Sequence, residues 1–154
     1  MVNWALEHVP PSSRPTILEV GSGNGVLLLG LLEAGYEGTT LHGVDYSDGA
    51  VKLAQAVAAA RGGSSGITYT HCDFLQDDPP APIGTSGIGI ANWDLITDKG
   101  TYDAIALGAR DENGRSPAAH YPGQVTRLLK PGGIFLITCG WHSFCIVIPA
   151  DCVF

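Results

Sequence analysis

Ile17-Leu18-Glu19-Val20-Gly21-Ser22-Gly23-Asn24-Gly25 is the stretch from which the rest of the chain can be read. Thr16 to Val20, launched by Pro15, has the composition of a short buried strand. The spaced glycines from Gly21 to Gly25 then turn the chain. Val26 to Ala34 is an almost wholly apolar helix ended by Gly35, and such a helix must be buried on most sides. A strand, a glycine turn and a helix in that order let backbone approach a ligand at the carboxyl edge of a sheet. Working outward, Leu41 to Asp45 is a second strand, and Asp45 falls twenty residues after Gly25. A carboxylate at that place can accept hydrogen bonds from both hydroxyls of a ribose.

Two ligand classes share this geometry. The dinucleotide fingerprint G-x-G-x-x-G carries its third small residue one place after Gly25, where this chain has Val26. Glu19, directly before the loop, would repel a pyrophosphate but favour a ligand bearing an ammonium and a sulfonium. S-adenosylmethionine carries both groups and no phosphate. The plainer alternative, a tight strand-to-helix turn that holds no ligand, is weakened by the placement of Asp45.

Beyond the second strand, short apolar runs alternate with longer helical stretches, the pattern of a parallel sheet covered by helices. Ser47 caps a helix that runs through Val51, Ala54, Val57 and Ala58 to Arg61, stopped by Gly62-Gly63. Ile67 to His71 is a third strand. Gln76 to Asn92 holds three prolines and three glycines and reads as a loop of unusual length. Trp93 to Thr97 is a fourth strand. Thr101 to Leu107 starts too soon after it to be another strand and is taken as helical. His120 to Lys130 is a helix with Val125, Leu128 and Leu129 inward, and Lys130-Pro131-Gly132-Gly133 is a turn into a fifth strand, Ile134 to Thr138.

Length and composition bound the function. The chain has 154 residues, the size of one domain with a real core, and 45% of them are hydrophobic, which argues against disorder. No apolar run approaches the roughly 20 residues of a membrane helix. Met1 to Arg14 lack the basic and apolar blocks of a secretory signal. The net charge of −7 disfavours general affinity for nucleic acid. Cys72, Cys139, Cys145 and Cys152 form no Cys-x-x-Cys pair and read as reduced thiols of a cytoplasmic protein. A zinc site from Cys139, His142, Cys145 and Cys152 is conceivable but has no usual ligand spacing, so no metal is expected.

These residues resemble a known family. Leu18 to Gly25, Gly43-Val44-Asp45-Tyr46-Ser47, Asp73-Phe74-Leu75 and Leu128-Leu129-Lys130-Pro131-Gly132-Gly133 are similar to class I S-adenosylmethionine-dependent methyltransferases. Asp98-Lys99-Gly100-Thr101-Tyr102-Asp103-Ala104-Ile105 resembles, more narrowly, the protein-lysine methyltransferases of translation elongation factor 1-alpha, although related branches share it. The likeness runs from about Trp4 to Trp141. It implies an α/β, Rossmann-like, mostly parallel sheet with helices on both faces, S-adenosylmethionine as cofactor and the elongation factor as protein substrate.

The resemblance also implies roles. Gly21, Ser22, Gly23, Asn24 and Gly25 would pass under the methionine part of the cofactor, with Glu19 helping to position it. Asp45 would hold the ribose, Tyr46 would pack on the adenine, and Asp73 and the Phe74 backbone would meet the adenine edge. Asp98 would face the transferred methyl as the catalytic residue. Asp73 also reads as a turn residue, and Asp98 also reads as a helix cap. A lysine with an ordinary pKa of about 10.4 must be neutral to attack, so a partly desolvated pocket and an acidic rim suit it.

Two departures from the family pattern stand out. Residues 1–14 match only the last helix of its N-terminal segment, and Gly140 to Phe154 match nothing in it beyond Trp141. The sequence therefore reads as truncated at both ends, with the final two strands missing or replaced. A cofactor-binding protein without activity and a small-molecule methyltransferase or dinucleotide enzyme on the same scaffold are the alternatives. Phe144 to Ile148 is strand-prone and is expected to fold back antiparallel on the fifth strand, with Pro149 ending the pairing.

Overall fold

Strand β1 (Ile17–Val20) is buried along its whole length, and it sits at the centre of a sheet whose order is β3-β2-β1-β4-β5-β6. The computed structural model describes residues 1–62, 66–82 and 93–138 and the backbone of residues 145–149. The other strands are β2 (Leu41–Asp45), β3 (Thr68–His71), β4 (Trp93–Lys99), β5 (Leu129–Thr138) and β6 (Cys145–Pro149). The first five pair in parallel, and β6 pairs antiparallel with β5. Parallel neighbours need crossovers, and four of the described helices supply or adjoin them. These are α2 (Val26–Glu33), α3 (Asp48–Ala60), α4 (Thr101–Ala106) and α5 (Tyr121–Leu128), with α1 (Val2–His8) ahead of the sheet.

The pleat divides the core in two. Ile17, Leu41, Leu95 and Leu136 pack with Leu28, Leu29 and Leu31 of α2 and Ala54 of α3 on one face. Leu18, Val20, Val44, Ile96 and Phe135 pack with Tyr121, Val125 and Leu128 of α5 on the other. Successive residues of a strand point to opposite faces, so Ile17 and Leu18 separate as the period of two requires. Truncating a buried leucine such as Leu28 to alanine costs about 2–5 kcal/mol. Helices on both faces of a mostly parallel sheet are the α/β arrangement expected from the sequence.

The order β2-β1-β4 makes β1 the place where the chain reverses its direction of travel across the sheet. The connections that follow β1 and β4 run over opposite faces, which opens a crevice at the carboxyl ends of these two strands.

Several boundaries differ from the sequence reading: β3 begins at Thr68 instead of Ile67, β4 runs on past Thr97 to Lys99, and the end of α5 and start of β5 move furthest. The sequence predicts the last helix over His120 to Lys130, but α5 ends at Leu128 after a 3-10 turn at Pro117–His120. Leu129 already pairs with Trp93, so β5 takes in the stretch expected as a turn. Pro131 disfavours helical backbone at Lys130, and the Lys130 ammonium is held by the Asp94 carboxylate at 2.8 Å. A register shift between Trp93 and Leu95 absorbs the Pro131-Gly132-Gly133 irregularity. The short Tyr102 region is helical, as expected. The tail pairs antiparallel with β5, from Thr138 opposite Cys145 to Ile134 opposite Pro149. Phe144, residues 83–92 of the long loop and Cys139, His142 and Cys152 lie outside the described residues. Among the described residues no helix is long and apolar enough to cross a membrane.

Candidate functional site

The carboxyl ends of β1, β2 and β4 deliver three acidic side chains to one region: Glu19, Asp45 and Asp98. The glycine turn after β1 is pinned from below, because the Val44 carbonyl accepts the N–H groups of Gly21 at 2.8 Å and Ser22 at 3.0 Å. The Asp45 carboxylate clasps the loop from the side. One oxygen accepts from Gly23 N–H at 2.9 Å, and the other accepts from Ser47 N–H at 3.0 Å. Asp45 therefore ties the β1 turn to the start of α3, where the Ser47 hydroxyl caps the helix by accepting from Ala50.

Two glycines are required by their surroundings. Gly21 has φ +69°, and a Cβ there would lie 1.8 Å from Thr101 Oγ1. That hydroxyl donates to the Val20 carbonyl at 3.0 Å, so α4 is stapled to the end of β1 at this point. Gly25 opens α2 at φ +74°, and a Cβ there would meet the Tyr69 hydroxyl at 2.6 Å. Tyr69 donates that hydroxyl to the Gly25 carbonyl at 3.1 Å.

A cavity of about 480 Å³ lies over this edge. Gly21, Asp45, Tyr46, Asp73 and Phe74 line it, all expected from the sequence. Lys99, Thr101, Ala104 and Ile105, which the sequence reading does not assign to a site, form the opposite wall. Tyr46 is largely exposed, whereas Phe74 is buried and packs on Tyr121 with ring centroids 5.0 Å apart. Asp73 accepts from Leu75 N–H at 3.1 Å and from the Gln76 amide at 2.6 Å, so it shapes the turn after β3 while facing the cavity.

Glu19, Ser22, Gly23, Asn24 and Gly25 lie behind or beside this wall. Glu19 Oε2 and Ser22 Oγ are buried without a hydrogen-bond partner among the described residues. Burial pushes the Glu19 carboxyl up to about 8, and the nearby Lys99 charge and the Leu28 N–H offset only part of that rise. The neighbouring Asp45 and Asp98 carboxylates push in the same direction as burial. A buried carboxyl with an open oxygen is poised to ionise when a cation arrives.

Asp98 is fully buried and does not line the cavity. It accepts from Thr101 N–H at 2.7 Å, Tyr102 N–H at 2.9 Å and the Tyr121 hydroxyl at 2.5 Å. This is the helix-cap alternative for that residue, with the first turn of α4 held by its carboxylate. Thr101 reaches the site only through the pairing of β4 with β1, which no local signal in the sequence gives. Tyr121 had no local signal either.

The site's donors and acceptors suit an adenosyl ligand without phosphates. Among the described residues Lys99 is the only cation in the cavity wall, and the unpartnered oxygen of Glu19 beside the glycine turn suits an ammonium better than a pyrophosphate. Among the described residues no cluster of His, Cys, Asp and Glu could hold a metal.

Comparison with known proteins agrees with this geometry. Residues 11–145 match a family described as a methyltransferase domain. The chain is 37% identical over 155 aligned residues to the protein-lysine N-methyltransferase efm4 of Schizosaccharomyces pombe, covering 92% of this chain and 61% of that protein. It is 32% identical to the human EEF1A lysine methyltransferase 2, covering 92% of this chain and 54% of that one. The chain thus spans about half to three-fifths of the length of these curated relatives. Its fold superposes on the CcbJ methyltransferase from Streptomyces caelestis with a TM-score of 0.62 at 20% identity, over 88% of this chain and 47% of that one. The chain belongs to the methyltransferase-domain family.

Proposed function

We propose that this chain binds S-adenosylmethionine at the carboxyl edge of β1 and β2 and forms the methyl-transferring part of a protein-lysine N-methyltransferase acting on translation elongation factor 1-alpha. The observation that carries the cofactor reading is the Asp45 carboxylate clasping Gly23 and Ser47 at the rim of an apolar-walled cavity. The substrate reading is supported by the names of the relatives and by the Asp98-to-Ile105 string.

When bound, the cofactor supplies a methyl group on a sulfonium, which is already a good leaving group. The residues of the chain have the tasks of binding, orientation and desolvation. Asp45 accepts the ribose hydroxyls, Tyr46 and Phe74 flank the adenine, and Asp73 with the Phe74 backbone meets its edge. Gly21 lets backbone pass close beneath the methionine portion, with Ser22, Gly23, Asn24 and Gly25 completing the turn. Glu19 neutralises the ammonium, and its raised pKa means that binding near neutral pH draws a proton off this carboxyl. Ala104 and Ile105 keep water from the reacting centre. The incoming lysine must lose its proton before attack, and an apolar wall lowers the cost of doing so. Asp98 acts by holding α4 in place.

The test is transfer of isotopically labelled methyl to purified elongation factor 1-alpha, with the modified residue located by mass spectrometry. Label on lysine supports the reading. Cofactor binding without transfer to any protein would favour the inactive binding form. Transfer only to small molecules would favour a small-molecule methyltransferase on the same scaffold.

A further inference from the structure

Helix α5 contributes no residue to the cavity wall, yet it touches two of that wall's supports. Tyr121, at its first position, is 1% exposed, and its hydroxyl donates to the Asp98 carboxylate that caps α4. Its ring lies against Phe74 at 5.0 Å on one side and Tyr102 at 5.3 Å on another. One turn along α5, the Gln124 amide donates to the Phe74 carbonyl at 3.2 Å. Phe74 belongs to the β3 side of the cavity, and Thr101 and Ile105 of α4 to the β4 side. A single buried phenol therefore spans from one wall to the other.

We infer that Tyr121 is a positioning residue that sets the spacing of the two cavity walls by holding Phe74 with its ring and the Asp98–α4 cap with its hydroxyl. This rests on the reading of the cavity as a cofactor site. The bond is a demanding one. Asp98 is removed from solvent, and burial pushes its carboxyl above the ordinary range. The Tyr121 hydroxyl is the foremost of the bonds that pull it back, ahead of the Thr101 and Tyr102 N–H groups. The other ionisable groups that face Asp98 are Asp103 from α4, which raises it, and Glu19 from β1, with Lys99 next to it on β4. Without the phenol, Asp98 would take up a proton at a higher pH, and the neutral acid would cap α4 poorly.

Tyr121→Phe keeps the ring and removes only the donor. Two readouts on this variant and the wild type decide the matter. The first is the dissociation constant of S-adenosylmethionine by calorimetry across a pH series, taken as the ratio of variant to wild type. The ratio should exceed one at high pH and should climb as pH falls and Asp98 takes up its proton. A ratio that stays flat would overturn the inference. The second needs no ligand: hydrogen exchange should quicken about tenfold in residues 101–107 and not in β1. Unchanged exchange, or equal acceleration everywhere, would show a merely structural residue. Failure of the wild type to bind the cofactor would sink the cofactor reading, and the exchange result would still decide the role of Tyr121. If Tyr121→Phe does not fold, Asp98→Asn must show the same local loss of protection in residues 101–107, and normal protection there would overturn the inference.

Discussion

Replacing Glu19 with glutamine should stabilise the protein while weakening its site. In the folded chain the Glu19 carboxyl is pushed up to about 8 from an ordinary 4.5, chiefly by burial. A carboxyl with a raised folded pKa binds its proton more tightly than in the unfolded chain, so it opposes folding above its unfolded pKa. No penalty exists below about pH 4.5. It grows as pH rises toward 8 and is constant beyond. At pH 7 the gap of roughly 2.5 pH units corresponds to about 3 kcal/mol. A glutamine at this position would carry no such penalty, though its buried NH2 group needs a partner and lacking one costs about 1–3 kcal/mol. The net gain at pH 7.5 should therefore be about 1–3 kcal/mol, shrinking as pH falls and turning into a small loss near pH 4.5, where only the cost of the buried amide remains. Urea unfolding of both proteins from pH 4.5 to 8.5 measures it. A stability difference that does not change with pH would refute the reasoning, because it would mean that Glu19 titrates alike in the folded and unfolded chains.

Three further outcomes follow from the same geometry. Asp45→Ala should lower S-adenosylmethionine affinity ten- to a hundredfold by calorimetry, the loss of charge-assisted bonds worth about 1.5–3 kcal/mol, with the circular dichroism of the fold retained. Gly21→Ala should cost at least about 2 kcal/mol in urea unfolding, since its Cβ would meet Thr101 Oγ1 at 1.8 Å in a backbone conformation of φ +69°. Asp94→Asn should cost about 1 kcal/mol at pH 7 and less near pH 3. Burial pushes the Asp94 carboxyl up, but its bonds to Lys130 and Thr16 outweigh that and hold it below the ordinary range, so its contribution is present above that range and fades as acid protonates it.

What can be read from the sequence is local. β2 and the Ser47 cap stand where period and capping chemistry place them, because each depends on neighbours within a few residues. Asp45 can be found because its distance from the glycine turn is set by one strand–helix–strand unit. The start of β5 cannot, since the extension of Leu129 and Lys130 depends on Trp93 and Asp94, far away in the chain. Asp98 shows the same limit. Its cap bonds to Thr101 and Tyr102 are local and belong to one of its two readings, but the Tyr121 hydroxyl comes from 23 residues away. The opposite wall of the cavity, from Lys99 to Ile105, needs the sheet order before it can be assigned to the site at all.

Whether the carboxyl edge of β1 and β2 holds S-adenosylmethionine is tested most directly by titrating that cofactor and NAD separately into the purified chain by calorimetry. Saturable one-to-one binding of S-adenosylmethionine, lost largely in Asp45→Ala, with no heat from NAD, is the predicted result. Binding of NAD alone, or S-adenosylmethionine affinity that Asp45→Ala leaves intact, would contradict it.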